Sequence, residues 1–165
     1  MFELKPLSPE AIPRSLEKAE RYRLLNEPRV AESICRDILA ADPANQHALI
    51  TLILAVTDQF SRGLVGLAKQ ALELTARLQR EYDRVYYTGI IHERQGKARL
   101  NQGAPGSGFD AYDLLRTAMH WFEKAEGLRT PGNEDAVLRW NTCARIIMDN
   151  RLSPRPEETF EPTLE

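Results

Sequence analysis

The chain has few of the residues that most often carry out chemistry in an active site. Among its 165 residues there are three histidines and two cysteines. His92 and Glu93 lack the second histidine of a metalloprotease helix, and His120 with Glu123, one helical turn away, is too small a set for a zinc site. No familiar nucleophile motif is present, although a triad assembled through space leaves no such signature. We therefore predict no catalytic, cofactor-binding or metal site and do not expect an enzyme.

The chain also lacks an excess of positive charge and a long apolar run. Its net charge is −2, so there is no basic field to hold nucleic acid. The longest apolar stretch, residues 48–56, is broken by Thr51 and is too short to cross a bilayer. The opening residues lack the apolar core of a signal peptide, and Cys35 and Cys143 occupy positions typical of buried thiols. We expect a cytoplasmic protein with no nucleic-acid partner and no membrane insertion.

Apolar residues recur at helical spacing along most of the chain, and no strand pattern accompanies them. Ala31, Cys35 and Ile38, for example, lie one turn apart on a single predicted stripe. The sequence therefore predicts an all-α fold of about seven helices. Six predicted helices cover residues 12–25, 46–60, 64–80, 83–101, 109–127 and 133–149. A further predicted helix begins at Pro28.

The predicted helical domain, residues 12–150, lies between two segments of different composition. Residues 1–11 contain Pro6 and Pro9 and predict an extended N-terminal arm. Residues 151–165 predict a mobile, acidic, proline-containing tail. Inside the domain, residues 97–112 predict a glycine-rich insertion that lengthens two consecutive helices into a projecting hairpin.

A pattern of small and aromatic residues recurs in these predicted helices. The clearest copy has Gly89 in one helix, and Ala118, Phe122 and Ala125 in the next. A glycine at this position lets the partner helix approach closely, and the alanines do the same from the other side. A second copy near the start of the chain contains Ala19, Tyr22, Ala31, Cys35 and Pro43. Looser copies are centred on Ile53 and Ala144.

This pattern resembles the tetratricopeptide repeat, a helix–turn–helix of about 34 residues. Ala19 and Ile53 are 34 residues apart, and Ile53 and Gly89 are 36 apart. The resemblance covers roughly residues 12–150 and implies three repeats plus a terminal helix. It also implies a right-handed superhelix of antiparallel helix pairs. A generic amphipathic helical bundle remains the alternative interpretation.

In a superhelix of this kind, the first helix of each repeat lines an inner, concave groove. The resemblance implies that nine residues face it: Arg23, His47, Ile50, Leu54, Tyr86, Ile90, Arg94, Asn141 and Arg145. We predict a protein–protein interaction module that binds an apolar peptide or a partner helix there, with the arginines selecting acidic neighbours. The Lys, Asn and Arg residues with which some members of this family hold a partner's terminal carboxylate are absent. The sequence leaves open whether Phe2, Leu4 and Leu7 of the arm fill the groove instead.

Two other functions remain open from the sequence. The glycine-rich segment 101–108 precedes a predicted helix and suits a phosphate, which would make the protein an enzyme or a small-ligand-binding domain. However, the Lys-Ser/Thr of a P-loop is missing.

The predicted terminal helix has more apolar surface than the last helix of such an array normally exposes. Cys143, Ile146 and Met148 extend that surface. Leu152, Phe160 and Leu164 of the tail would cover it, or a second copy of the chain would. The second case predicts a homodimer and a self-associating structural subunit.

Overall fold

The computed structural model describes residues 1–63 and 65–157, and the regular secondary structure of these residues is exclusively helical. The seven α-helices are α1 (Ile12–Leu24), α2 (Pro28–Ala41), α3 (Gln46–Thr57), α4 (Leu67–Thr75), α5 (Glu81–Gln102), α6 (Ser107–Leu128) and α7 (Asp135–Asp149). The predictions of an all-α fold and of about seven helices are therefore confirmed. No helix in the described part of the chain is both long enough and apolar enough to span a membrane.

Each helix packs against the helix that follows it, and alternate helices also meet. α1 contacts α3, and α3 contacts α5, in addition to the contacts between neighbours in sequence. The helices begin where the sequence supplies suitable residues: Pro28 occupies the first turn of α2, and the Asn45 side chain accepts a hydrogen bond from the Ala48 N–H at 2.9 Å to cap α3. This arrangement of helix pairs is compatible with a helical repeat.

The segment between α3 and α5 differs most from the prediction. α3 ends at Thr57 and is followed by a short 3-10 turn, Phe60–Arg62. α4 spans Leu67–Thr75, which is well short of the predicted 64–80. Gly63 and Gly66 both have positive φ values, 68° and 87°, which a helix cannot accommodate. The chain therefore turns twice before α4 begins.

The core consists of two hydrophobic clusters that meet on α5. The first cluster lies among α1–α4 and one side of α5, and it includes Ile38, Leu49 and Ile91. The second lies among α5–α7 and includes Ile90 and Phe122. Because α5 contributes Ile91 to one cluster and the adjacent Ile90 to the other, it is the central helix of the molecule.

Two glycines explain why α5 and α6 pack so closely. A methyl group at Gly89 would lie 2.6 Å from the Phe122 ring, and one at Gly96 would lie 2.9 Å from Leu115. Both helices have 22 residues, and they are joined by a tight turn in which Gly103 and Gly106 have positive φ values. The glycine-rich residues predicted as an insertion therefore complete one long helical hairpin.

The arm and the start of the tail make only a few contacts with the helices. Leu7 packs against the first cluster, but Phe2 and Leu4 are 100% and 89% exposed. These two residues do not fill a groove, which contradicts that alternative. After α7, Leu152 packs against the second cluster and the Arg155 guanidinium pairs with Asp110 at 3.1 Å.

The outer face of α7 is less apolar than the sequence suggested. Cys143 is fully buried, and Ile146 packs against the second cluster. The large apolar residues of α7 that stay exposed in the described chain are Leu138 and Met148. Leu152 supplies part of the predicted cover, whereas Phe160 and Leu164 lie outside the described residues.

Candidate functional site

A row of charged side chains links the odd-numbered helices α1, α3, α5 and α7. We call this row the ion-pair face; its members are Glu20, Arg23, His47, Asp58, Glu93, Arg94, Lys97 and Arg139. Its helices are those that the tetratricopeptide resemblance assigns to a binding groove. It includes three of the nine predicted groove residues: Arg23, His47 and Arg94.

Asp58 joins three helices at the centre of this face. Arg23 of α1 donates to it from Nε at 2.8 Å, and Arg94 of α5 donates to it from Nη1. The same Arg94 nitrogen also donates to the Thr57 hydroxyl at 2.8 Å and to the Leu54 carbonyl at 3.2 Å. Burial lowers the pKa of Arg94, and the neighbouring Asp58 carboxylate opposes that shift. The two arginines are therefore held in fixed positions before any partner arrives.

Glu93 plays a similar part between α5 and α7. Its side chain is fully buried, and its carboxylate pairs with Arg139 at 3.2 Å and with Lys97 at 3.6 Å. The Cys143 thiol lies 3.8 Å from the same carboxylate. A buried carboxylate needs such partners because removing it from water alone is costly. The sequence analysis missed Glu93, a charged residue about one helical turn after Ile90, which was predicted to face the groove.

The apolar residues predicted for the groove belong largely to the core. Ile90 is only 1% exposed and packs in the second cluster, so its side chain does not reach the surface. Ile50 and Leu54 are partly buried against the first and second clusters. Tyr86 stacks on Tyr82 with ring centroids 5.6 Å apart. The ion-pair face therefore has small apolar patches between charged groups rather than a continuous apolar floor.

The residues predicted on α7 lie elsewhere. Asn141 lines a shallow depression with Trp140 and with Glu123 of α6. Arg145 is exposed and forms no ion pair with any residue that the structure describes. The resemblance placed Ala144 at the closely packed position, but Cys143 is the fully buried residue. One residue corresponds to about 100° of rotation on a helix, which brings Arg139 to the ion-pair face instead.

A cleft of about 320 Å³ opens beside the Asp58 cluster. Its lining combines the apolar residues Phe60 and Ala98 with six polar or charged ones: Thr57, Asp58, Ser61, Arg94, Lys97 and Asn101. Lys97 is 39% exposed, so its ammonium group is accessible from the cleft while it pairs with Glu93. Cationic and neutral donors at one opening are suited to a carboxylate or a carbonyl of a bound segment.

The turn between α5 and α6 offers a poorer anion site than its glycines suggested. The Arg155 guanidinium lies 3.7 Å from the methyl position at Gly106, and Leu152 lies 3.8 Å from that at Gly108. Asp110 already places a carboxylate in the first turn of α6, where the helix dipole favours negative charge. The tail therefore covers the N-terminus of α6 that a phosphate would need.

The described residues do not form a metal-binding cluster. No group of three or more His, Cys, Asp or Glu side chains within residues 1–63 and 65–157 is placed to hold a metal ion. Burial lowers the pKa of His92, and the nearby Gln95 amide opposes that shift. This behaviour is that of a packed histidine.

Comparison with known proteins identifies no relative of this chain. No family model matches the chain, and neither a curated protein nor a solved structure matches it. The tetratricopeptide resemblance thus continues to depend on the sequence pattern and on a helix arrangement that is compatible with a repeat.

Proposed function

We propose that the protein is a protein–protein interaction module of the tetratricopeptide type that binds a segment of a partner along the ion-pair face. The observation that carries this proposal is the cleft beside Asp58, where Arg94, paired with Asp58, and Lys97, paired with Glu93 of its own helix, present positioned donors. Donors fixed before binding lose little conformational entropy when a ligand arrives. The bound segment would carry an acidic residue for these donors.

The charge of this face supports an acidic partner. Arg23, Arg94, Lys97 and Arg139 provide four positive charges against three carboxylates, from Glu20, Asp58 and Glu93. The whole chain, in contrast, has a net charge of −2. A local positive excess on an acidic protein attracts and orients a complementary segment.

Partly exposed apolar side chains complete the proposed site. Leu54 contributes its carbonyl to Arg94 and its partly exposed side chain to the same face. Tyr86, also partly exposed, lies two turns before Arg94 on α5. An apolar residue next to the partner's acidic residue would contact these side chains, in the way that buried anchors dominate many interfaces. The buried, free thiols Cys35 and Cys143 suit a reducing compartment, so the proposal places the module in the cytoplasm.

The test is an affinity capture from native lysate with the wild type and three variants. Lys97→Glu reverses the accessible charge of the cleft, and Leu54→Glu combined with Tyr86→Ala removes the apolar patches. Lys18→Glu, an exposed residue on the outside of α1, is the matched charge-reversal control. Circular dichroism first establishes that each variant is folded.

We expect a partner that the wild type and Lys18→Glu retain and that both other variants lose. The captured partner's binding segment should contain an acidic residue beside an apolar one. A partner held equally by Lys97→Glu and by the wild type would exclude the cleft as its binding site.

A further inference from the structure

A shallow depression of about 300 Å³ lies between α6 and α7. Glu123 and Glu126 line it from α6, and Val137, Trp140 and Asn141 line it from α7. Each set occupies one side of its helix, because three or four residues correspond to about one turn. An aliphatic and an aromatic side chain therefore lie beside two carboxylates. We call this site the α6–α7 depression.

The Trp140 indole is held in place from two directions. Its ring packs against the second hydrophobic cluster, and its Nε1–H donates to the Glu123 Oε1 atom at 3.0 Å. Within the described chain, the second oxygen of this carboxylate accepts no hydrogen bond and joins no ion pair. The α6–α7 depression therefore presents a positioned acceptor next to an aromatic ring before any ligand is bound.

The nearby cations of α6 and of the turn after it are engaged elsewhere. The Lys124 ammonium lies over the Trp121 ring, 4.6 Å from its centroid, and the Arg129 guanidinium pairs with Glu126 at 3.1 Å. Neither cation lines the α6–α7 depression. Over residues 1–63 and 65–157, no Lys or Arg side chain lies over the Trp140 ring. The chain itself thus leaves the cation-binding position beside this indole open.

These features match the side chain of an arginine. A guanidinium stacks on the face of an aromatic ring while it donates N–H groups in its own plane to a carboxylate. The methylene stem of the same side chain packs against aliphatic carbon such as that of Val137. A lysine ammonium has the charge but not the planar shape, and an anionic group would be repelled by Glu123 and Glu126.

We propose that the α6–α7 depression binds an arginine side chain of a partner protein, with the guanidinium stacked on Trp140 and hydrogen-bonded to Glu123. This site shares no residue with the ion-pair face. On α7, Val137 and Asn141 each lie two residues from Arg139, which corresponds to about 160° around the helix. The protein thus has a second recognition surface, of opposite charge preference, and this proposal does not depend on the function proposed above.

A nuclear magnetic resonance titration of the full chain with the peptide acetyl-Gly-Arg-Gly-amide tests the proposal. The matched peptide has citrulline in place of arginine, which keeps the shape of the side chain and removes its charge. The reporter signals are the indole N–H of Trp140 and the backbone amides of Val137 and Asn141. A Trp121→Phe variant assigns the two indole signals of the chain.

Two variants distinguish this site from a general attraction between a cationic peptide and an acidic protein. Glu123→Gln removes the charge of the proposed acceptor at an exposed position. Glu17→Gln makes the same change at an exposed position on α1 and is the matched control. Circular dichroism establishes that both variants are folded.

We expect the arginine peptide to shift all three reporter signals with a dissociation constant of about millimolar, since one side chain makes few contacts. The citrulline peptide should bind more weakly. Glu123→Gln should weaken binding of the arginine peptide by about threefold or more, which is the range of an exposed ion pair, and Glu17→Gln should leave it unchanged.

Three results of the titration would overturn the proposal: equal binding of the two peptides, equal affinity of Glu123→Gln and the wild type, or shifts confined to α1 and α3. Light scattering of the protein without peptide is the remaining control. A monomer is expected. A dimer that Glu123→Gln dissociates would show that a second copy of the chain occupies the depression, and it would reject a different protein as the partner.

Discussion

The Gly89–Phe122 contact leaves no room for a side chain at position 89, and a single methyl group tests it. We expect Gly89→Ala to destabilise the fold by about 1–3 kcal/mol, because the new Cβ would lie 2.6 Å from the buried Phe122 ring. Chemical denaturation measures the change. Adding Phe122→Leu should recover part of the loss, since the smaller side chain leaves room for the methyl group.

Gly127→Ala is the matched control for that substitution. Gly127 also lies in a helix, α6, but a Cβ there meets nothing within 4 Å. Replacing it should stabilise the protein by about 0.5–1 kcal/mol because alanine favours the helical backbone. Equal changes in unfolding free energy for Gly89→Ala and Gly127→Ala would show that close helix packing does not determine the loss of stability.

The buried thiols predict how stability changes at alkaline pH. Burial raises the pKa of Cys35 and of Cys143 to about 12, from a usual value near 9.0, and it raises the pKa of Tyr87 to about 12 from 10.0. Between these values the unfolded chain binds fewer protons than the folded one, so stability is complete below pH 9 and falls as the pH rises towards 12.

Urea denaturation between pH 8 and pH 11 measures this loss. Cys143→Ala should be less stable than the wild type at pH 8 but should lose less stability on going to pH 11. Parallel curves for the two proteins would show that Cys143 ionisation does not contribute.

The last helix is attached to α5 partly through charge. Arg139→Met removes the guanidinium that pairs with Glu93 and leaves the buried carboxylate with Lys97 and Cys143. We expect faster hydrogen exchange throughout α7 and little change in α1 and α2, because a local opening involves only the contacts that it breaks. Arg145→Met, at an exposed position on the same helix, should leave exchange unchanged. Uniform acceleration along the chain would indicate global destabilisation instead.

Element boundaries could be predicted where the sequence contains a specific signal. Pro28 starts α2 as expected, and Asp135 starts α7 within the predicted interval. α4 was predicted too long because Leu67, Leu74 and Leu78 suggest one continuous stripe. Leu78 is indeed buried, but it lies beyond the end of the helix. Apolar spacing identifies the residues that pack and does not establish that a helix connects them.

The rotation of a helix about its axis was harder to predict than its position along the chain. Gly89 was assigned correctly to the close contact because only glycine fits against Phe122. On α7 both Cys143 and Ala144 are small, so the sequence pattern did not distinguish them. The choice of Ala144 led to Asn141 as the groove residue, whereas the structure brings Arg139 to Glu93.

At the scale of the whole molecule, the candidate site could be predicted only in part. The sequence identified Arg23, His47 and Arg94, which do lie on the ion-pair face. It did not identify Asp58, which pairs with both of these arginines, or Glu93, which pairs with Lys97 and Arg139. Asp58 is 35 residues from Arg23 and 36 residues from Arg94 in the sequence, and no local sequence pattern relates positions so far apart. Predicting them requires knowing how consecutive helix pairs stack.

Stacked helix pairs often unfold in parts, since each pair contacts only its neighbours. Here α5 contributes to both clusters, Tyr87 packs against both, and Asp58 connects α1, α3 and α5. We therefore expect a single cooperative transition even when one cluster is weakened. Ile38→Ala, in the first cluster, should cost about 2–5 kcal/mol.

Two optical signals distinguish the ends of the molecule in that variant. Trp121 and Trp140, the two tryptophans of the chain, lie in α6 and α7, so their fluorescence reports the second cluster, whereas far-ultraviolet circular dichroism reports all helices. In Ile38→Ala both signals should change at the same urea concentration, because the two clusters lose their shared packing on α5 together. Leu115→Ala, in the second cluster, is the reciprocal variant, and its two signals should also change at the same urea concentration. If Ile38→Ala loses helical signal before its tryptophan signal changes, the α1–α4 half unfolds independently and α5 does not couple the two clusters.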